Sequence, residues 1–361
     1  MTLPLIHLTG SAYDQGLQHG EALRERVRHN RDVYFERFAR EVRLSREQAL
    51  ERARHALATI TRASPSYADG MRGVAEAAGL PLDEVAALNV RYEILYYQFG
   101  ANALADGCTS FAILPEASAS GHLLIGENWD WIPQVRGALL RTTEPDGLET
   151  LAFTEAGIVG GKIGLNSAGL GLAINGLTTT DDDWARPVMP FHVRCYAVLR
   201  SRSFDDARQI IGGTPRACSG NFMLAQAPDR AVDLEAAPDA LGVVTPTGGC
   251  VVHANHFEHP DELGVVEPPD EKLPHTYHRR RRLDALLRAG LPIGIGQIQQ
   301  ALRDHMEHPY SVCRHEDPAE PPEEHYLTVV SAVMDLHALE LHISDGPPCV
   351  SPYDTHRIIG R

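Results

Sequence analysis

The sequence predicts an α+β fold in which a helical front is joined to a strand-rich remainder. Three observations carry that expectation. Through the first hundred residues charged and apolar side chains mix at helical spacing. After Gly107 the texture changes to short β-rich runs separated by glycine, proline and aspartate turns. Two helical patches then interrupt the strands, as in a layered α+β domain rather than a parallel βαβ succession.

Taken in order, the run from Tyr13 to Val42 predicts helix, and further helices are expected over about 46–61, 66–78 and 82–98. Pro65 and Pro81 stand near the starts of the last two, where a fixed φ suits the first turn and a missing N–H costs nothing. Strands are expected at Thr109–Leu114, His122–Ile125, Leu148–Thr154, Leu170–Ile174, Asn221–Ala225 and Cys250–His253. Helical patches lie near Pro190–Gly212 and Thr276–Arg303. Tyr326–Met334 and Ala338–Ile343 flank Asp335-Leu336-His337 and read as a hairpin. The acidic, proline-rich stretches Glu258–Pro274 and Glu316–Glu324 read as surface loops.

The chain has 361 residues and carries 48 acidic against 33 basic side chains, a formal net charge of −15. Two of the basic residues, Lys162 and Lys272, are lysines. An acidic surface argues against a nucleic-acid groove or an anionic membrane surface, so a small molecule is the expected partner. No stretch approaches the ~20 apolar residues of a membrane span. The opening Met1–His7 lacks a basic n-region and a long apolar run, so no signal peptide is expected. Cysteines 108, 195, 218, 250, 313 and 349 form no CxxC pair. That pattern fits reduced thiols in a cytoplasmic protein better than a disulfide scaffold.

Several segments imitate chemical motifs. Gly157-Ile158-Val159-Gly160-Gly161-Lys162 invites a phosphate-loop reading, but Ala156 and Ile163 stand where a glycine and a Ser or Thr are required. Gly169-Leu170-Gly171 is followed by Ile174 where a dinucleotide fingerprint needs glycine. Both are expected to be turns beside strands. His253, His256 and His259 are not expected to hold a metal, because VVHANHF reads as a strand running into a loop. Arg279–Arg282 are expected on the solvated face of a helix also carrying Leu283, Leu286 and Leu287. His305, His308 and His315 are expected to be exposed or locally bonded.

Cys108 stands where the helical front ends, in Ala105-Asp106-Gly107-Cys108-Thr109-Ser110. It can be a buried packing residue. The chemical reading makes Gly107–Cys108 a cleavage point, with the thiol attacking the Gly107 carbonyl and water opening the thioester. Glycine suits the crowded backbone that such an attack needs. Cleavage leaves Cys108 with a free α-amine of pKa roughly 7.7–8.0, a base tied to the nucleophile itself.

DGCTSFAIL, LIGENWDW, FTEAGIVGGKIGLNSAGLGLAINGL, VVHANHF and PYSVCRHED occur in that order behind a GSAYDQGLQHG opening. Together they resemble the penicillin acyltransferase-like (isopenicillin N acyltransferase) family of self-cleaving N-terminal-nucleophile enzymes. The resemblance implies an αββα sandwich preceded by a helical segment. It implies self-cleavage into an α chain, 1–107, that stays bound, and a β chain, 108–361, the two forming one structural domain. Gly107 then ends the α chain and Cys108 becomes the nucleophile. Asp130, in NWD, would support the new N-terminus or the self-cleavage geometry. Asn255, in HANH, matches an oxyanion asparagine, the kind of donor whose loss typically costs ~10²–10³ in rate. Arg314, in SVCR, would hold Asp130 and favour the reactive form of Cys108. Asn175, in AINGL, matches an asparagine of bile-salt-hydrolase-type relatives. Cys313 beside Arg314 reads as packing, having no obvious base.

The resemblance implies acyl transfer through a Cys108 thioester, with no cofactor or metal. The favoured expectation is a cytoplasmic amidase acting on a small N-acyl amide. Acyl-CoA-dependent transfer onto a β-lactam or other amine is the alternative, though no basic cluster outside 279–282 marks a coenzyme A phosphate site. A cysteine–histidine peptidase and a non-catalytic binding protein on the same fold remain open. The oligomeric state is not legible.

Overall fold

Two serine-led capping boxes start helices in the front of the chain. Ser11 and Asp14 exchange side-chain and backbone hydrogen bonds at the start of α1 (Ala12–Ala22), and Ser45 and Gln48 do the same for α3 (Arg46–Ala63). The expected helix over 13–42 divides at Leu23 into α1 and α2 (Arg24–Glu41). α4 (Pro65–Ala78) stops at Gly79, whose φ of +64° closes the helix. The expected helix over 82–98 is split at Val90 into α5 (Leu82–Asn89) and α6 (Arg91–Tyr96). The computed structural model describes residues 3–96, 107–267 and 274–358, so Tyr97, Gln98, Ala105 and Asp106 lie outside the described residues. Ahead of α1 runs a strand that periodicity does not suggest, β1 (Leu5–Leu8).

After Gly107 come β2 (Thr109–Ile113), β3 (Leu124–Trp131), β4 (Gly137–Thr143), β5 (Glu149–Glu155), β6 (Ile163–Asn166) and β7 (Leu170–Gly176). The patch near 190–212 forms α7 (Phe191–Leu199) and α8 (Phe204–Gly212). β8 (Gly220–Gln226), β9 (Arg230–Ala236), β10 (Leu241–Val244) and β11 (Cys250–His253) follow, then the short α9 (Pro260–Leu263). α10 (Pro274–Ala289) and α11 (Ile295–Ala301) make up the second patch. β12 (Leu327–Asp335) and β13 (Glu340–Asp345) form the expected hairpin, and β14 (Tyr353–Arg357) closes the order.

The strands form two sheets, an eight-stranded one ordered β1-β4-β5-β6-β7-β8-β9-β10 and a six-stranded one ordered β11-β2-β3-β12-β13-β14. β1 joins β4 in parallel, and the remaining pairs are antiparallel. α7 and α8 cover the outside of the larger sheet, and α10 and α11 the outside of the smaller. The result is the αββα sandwich that the resemblance implies. β3 and β7 are buried throughout, as strands in the middle of a four-layer stack must be. Phe111 and Ile113 pack with Leu283, Leu287 and Ile298 under α10 and α11, whereas Cys108 and Ala112 belong to the core between the sheets.

The helical front packs tightly on itself and is bound to this sandwich through β1, which pairs with β4, and through a buried charge cluster. α1 crosses α4 so closely that a Cβ on Gly16 would strike the backbone of Gly70. Deeper, Glu155 on β5 is buried between Arg91 of α6, at 3.0 Å, and Lys162, at 2.5 Å. Lys162 Nζ lies 3.3 Å from the centroid of the Trp129 ring, and Trp131 Nε1 donates to the Tyr34 hydroxyl at 2.7 Å. Burial alone would raise the Glu155 carboxyl; Arg91 and Lys162 reverse that and hold it well below the usual range. Burial pulls Lys162 down to about 8 against the pull of Glu155. The loop before Lys162 turns at Gly157 and Gly160, both at positive φ, and aims the lysine inward. It is the expected turn.

Candidate active site

Cys108 immediately precedes β2, which lies between β11 and β3 in the smaller sheet. Side chains alternate across a strand, so Cys108, Ser110 and Ala112 face the larger sheet while Thr109, Phe111 and Ile113 face α10. Gly107 and Cys108 are both buried. A Cβ on Gly107 would stand 2.7 Å from Arg314 Nη1 and 2.8 Å from Asp130 Cβ. Only glycine therefore fits between these two side chains.

Asp130 sits one residue from the end of β3 and is fully buried. Its Oδ1 accepts from Thr328 Oγ1 at 2.7 Å, and the same hydroxyl oxygen accepts from the Arg314 backbone N–H at 2.9 Å. Thr328 thus joins the Asp130 side chain to the backbone of Arg314. It stands opposite Asp130 in the β3–β12 register, where a bulge separates it from Val330. The Arg314 guanidinium is held over the rings of Tyr310 and Tyr326, 5.4 and 5.2 Å from their centroids.

Arg279 corrects the sequence reading. In place of the expected solvated face, it is 2% exposed and points at the Gly107–Cys108 peptide. Its Nη1 donates to Gly107 O, to Cys108 O at 2.7 Å and to Thr109 Oγ1 at 2.8 Å, and its Nη2 donates to Asn255 Oδ1 at 3.0 Å. Helical spacing explains the burial: Arg279 precedes Leu283 and Leu287 by four and eight positions on the inner stripe of α10. Its neighbours behave more as expected, Arg280 pairing with Glu258, Arg282 with Asp304, and Arg281 lying exposed.

Asn255 follows β11. Its backbone N–H donates to Thr276 Oγ1 at 2.6 Å, and its side-chain amide donates to Gly176 O at 3.0 Å. Asn175, on β7, faces Ser110 across the sheets, and its Oδ1 accepts from Ser110 Oγ at 2.6 Å and from Asn221 Nδ2 at 3.0 Å. Its own amide nitrogen is buried without a hydrogen-bond partner among the described residues. An unsatisfied buried donor is what a carbonyl or oxyanion would complete.

Behind Asn175 the polar row continues. Asn221 Nδ2 donates to Asp233 at 2.7 Å, and His253 Nε2 lies 2.8 Å from Glu235 and 3.7 Å from Asp233. Burial alone would depress His253, but Asp233 and Glu235 raise it to about 9. Burial raises Asp233 to about 6 despite His253. His256 hydrogen-bonds Thr276 and packs on Tyr277, while His259 is exposed. His253 and His256 stack with ring centroids 6.1 Å apart where the strand runs into a loop, and His259 stands apart beside Glu262.

The sequence model of the family described as acyl-coenzyme A:6-aminopenicillanic acid acyl-transferase matches residues 117–346, more than half of the chain. The chain belongs to that family. Among curated proteins it is similar to the acyl-coenzyme A:6-aminopenicillanic-acid-acyltransferase 40 kDa form of Emericella nidulans, at 27% identity over 319 residues, 86% of this chain and 85% of that one. Among solved structures it is similar to a Caenorhabditis elegans N-acylethanolamine-hydrolyzing acid amidase ortholog, at 15% identity and a TM-score of 0.46, covering 63% of this chain and 93% of that one. A conjugated bile acid hydrolase variant from Clostridium perfringens overlaps at 12% identity and a TM-score of 0.47, covering 70% of this chain and 97% of that one.

In this member of the acyl-transferase family, Gly107 sits directly against Asp130 and Arg314, with Cys108 next to it in the chain. Asn255 reaches them through Arg279, and Asn175 through Ser110. Two contributors escape the sequence reading. Arg279 carries a usable signal in its four-residue spacing to Leu283 and Leu287. Thr328 carries none, since a threonine inside a β-run reads as an ordinary strand residue.

Proposed function

We propose that the chain is a self-cleaving amidohydrolase whose nucleophile is Cys108, acting on a small N-acyl amide in the cytoplasm. The observation that carries this reading is the setting of the Gly107–Cys108 peptide, its carbonyl oxygen bonded by Arg279 and its glycine wedged between Asp130 and Arg314. In self-cleavage the Cys108 sulfur attacks the Gly107 carbonyl carbon, and Arg279 stabilises the negative charge growing on that oxygen. The C–N bond breaks as the departing nitrogen takes a proton, leaving a thioester. Water then hydrolyses it, releasing the Gly107 carboxylate, the Cys108 thiol and a free α-amine. Residues 1–107 and 108–361 stay together through the shared core.

In turnover the α-amine takes the thiol proton as sulfur attacks a substrate carbonyl, and it returns the proton to the leaving amine. Asn255 and the unpaired amide of Asn175 supply donors for the oxyanion. Arg314, a fixed cation, favours the neutral amine and the thiolate. Six free thiols suit a reducing compartment, and among the described residues no helix is long and apolar enough to cross a membrane.

The second reading is acyl transfer from coenzyme A to an amine, favoured by the name of the Emericella nidulans relative. Both readings share the acyl-enzyme and differ in what consumes it. The deciding experiment is intact mass and a denaturing gel of wild type beside Cys108→Ala. Cleavage of the 39.6 kDa chain after residue 107 predicts pieces of roughly 12 and 28 kDa. The larger should begin at Cys108 and the variant should stay whole; wild type that stays uncut sinks the self-cleavage reading. Coenzyme A thiol release from acyl-CoA only in the presence of an amine favours transfer, and release of amine from N-acyl amides alone favours hydrolysis.

A further inference from the structure

We propose that this protein carries a structural zinc site built by His305, Cys313, His315 and Cys349. The first three lie in the long connection between α11 and β12, and the fourth in the loop between β13 and β14. One ligand atom from each side chain falls within 4.8 Å of all the others. His315 Nε2 is 3.1 Å from His305 Nε2, 3.3 Å from Cys349 Sγ and 3.6 Å from Cys313 Sγ. Tetrahedral zinc with bonds of about 2.0–2.3 Å sets its ligands about 3.3–3.8 Å apart. Two thiols and two imidazoles gathered within 4.8 Å of one another form an S₂N₂ set, whose preferred ion is zinc.

The backbone already presents these groups. Cys313 N–H donates to Asp304 O at 3.0 Å, and His315 N–H donates to Pro309 O at 2.9 Å, folding the connection back on itself. Arg303 Nε donates to Pro348 O at 2.8 Å and ties the Cys349 loop to the same segment. Cys313 is buried, His315 and Cys349 are half-buried and His305 is exposed, which leaves a route of entry. Binding of Zn²⁺ displaces one proton from each thiol, and the two thiolates balance the ion's charge. Four protein ligands fill the tetrahedron, so the role is structural. Arg314 lies between two ligands, so the ion would fix the backbone that aims its guanidinium at Gly107. Nothing along the chain announces the site, because the ligand spacing matches no metal motif and Cys349 is 34 residues beyond His315.

Wild type purified without a histidine tag or chelator, given equimolar Zn²⁺ and desalted, should contain one zinc per chain by elemental mass spectrometry. Cys349→Ser and His305→Ala should each lower zinc affinity at least about tenfold. His308→Ala should retain the ion, since that imidazole stands beside His315 but outside the four. Co²⁺ added to chelator-stripped wild type should give the intense visible bands of tetrahedral thiolate cobalt, absent in Cys349→Ser. Wild type that takes up neither metal overturns the proposal, and it needs no variant to fold. So does a mass two hydrogens low with Cys313 and Cys349 in one disulfide-linked peptide pair.

Discussion

The guanidinium of Arg279 donates to the side-chain oxygen of Asn255 at 3.0 Å while its other terminal nitrogen holds the carbonyl oxygens of Gly107 and Cys108. One buried arginine therefore links the Gly107–Cys108 peptide with Asn255. Its planar fork reaches both partners at once, which a lysine ammonium cannot do.

Arg279→Met should slow self-cleavage by ~10²–10³, the usual cost of losing a donor at a developing oxyanion. Arg279→Lys should fall between that variant and wild type. The appearance of the two bands after expression gives the rate, with circular dichroism confirming the fold. Processing of Arg279→Met at the wild-type rate would remove the arginine from the reaction.

Thr328→Val keeps the shape of the side chain but removes both hydrogen bonds that couple Asp130 to the Arg314 backbone. It should cost about 1–3 kcal/mol, because the buried Asp130 carboxylate and the buried Arg314 N–H each lose this hydrogen bond. Thr328→Ser should restore most of that loss. Urea unfolding on a Cys108→Ala background, where the chain stays whole, measures it. Equal midpoints for Val and Thr would show that the hydroxyl does not couple the pair.

His253 predicts a pH dependence of stability. Its folded value of about 9 lies above the ordinary 6.5, so the protonated form is favoured by folding. That contribution is complete below pH 6.5 and is lost as pH rises toward 9, at no more than about 1.4 kcal/mol per unit. Thermal melts of the Cys108→Ala protein from about pH 6 to 9.5 should fall through this window. The His253→Gln variant should start lower, with Asp233 and Glu235 left uncompensated, and run flatter. Parallel profiles for the two proteins would count against a charged His253.

Glu155→Gln should destabilise by about 3–5 kcal/mol, since Arg91 and Lys162 would be left as buried cations without their carboxylate. The loss should fall on the attachment of the helical front to the sandwich. Equilibrium unfolding on the Cys108→Ala background checks it. A change of a few tenths of a kcal/mol would mean that solvent or a proton shift compensates the pair.

Much of the architecture is legible along the chain. Periodicity and turn chemistry locate α3, α4 and the hairpin of β12 and β13 to within a few residues, because each has a well-marked start or turn. The strands that escape notice, β1, β4, β6, β9, β10 and β14, lack that signature. Glu235 and Asp233 make β9 look like a surface run, yet both acids are buried against His253 and Asn221. β14 is largely polar and, at the sheet edge, pairs with β13 on one side. β1 is four residues long and finds its partner more than a hundred residues away in β4.

Local sequence determined the helical front, the change of texture after Gly107 and the glycine–cysteine step itself, because propensity, turn chemistry and residue identity act within a few positions. Ordered motifs added the fold family and the names of Asp130, Asn175, Asn255 and Arg314. Only the tertiary structure decided which groups meet. It turned Arg279 inward, put Thr328 between Asp130 and Arg314, and gathered His305, Cys313, His315 and Cys349 from two loops. These relations depend on register between strands and on which stripe of a helix is buried, and both are set by packing of segments far apart in the chain.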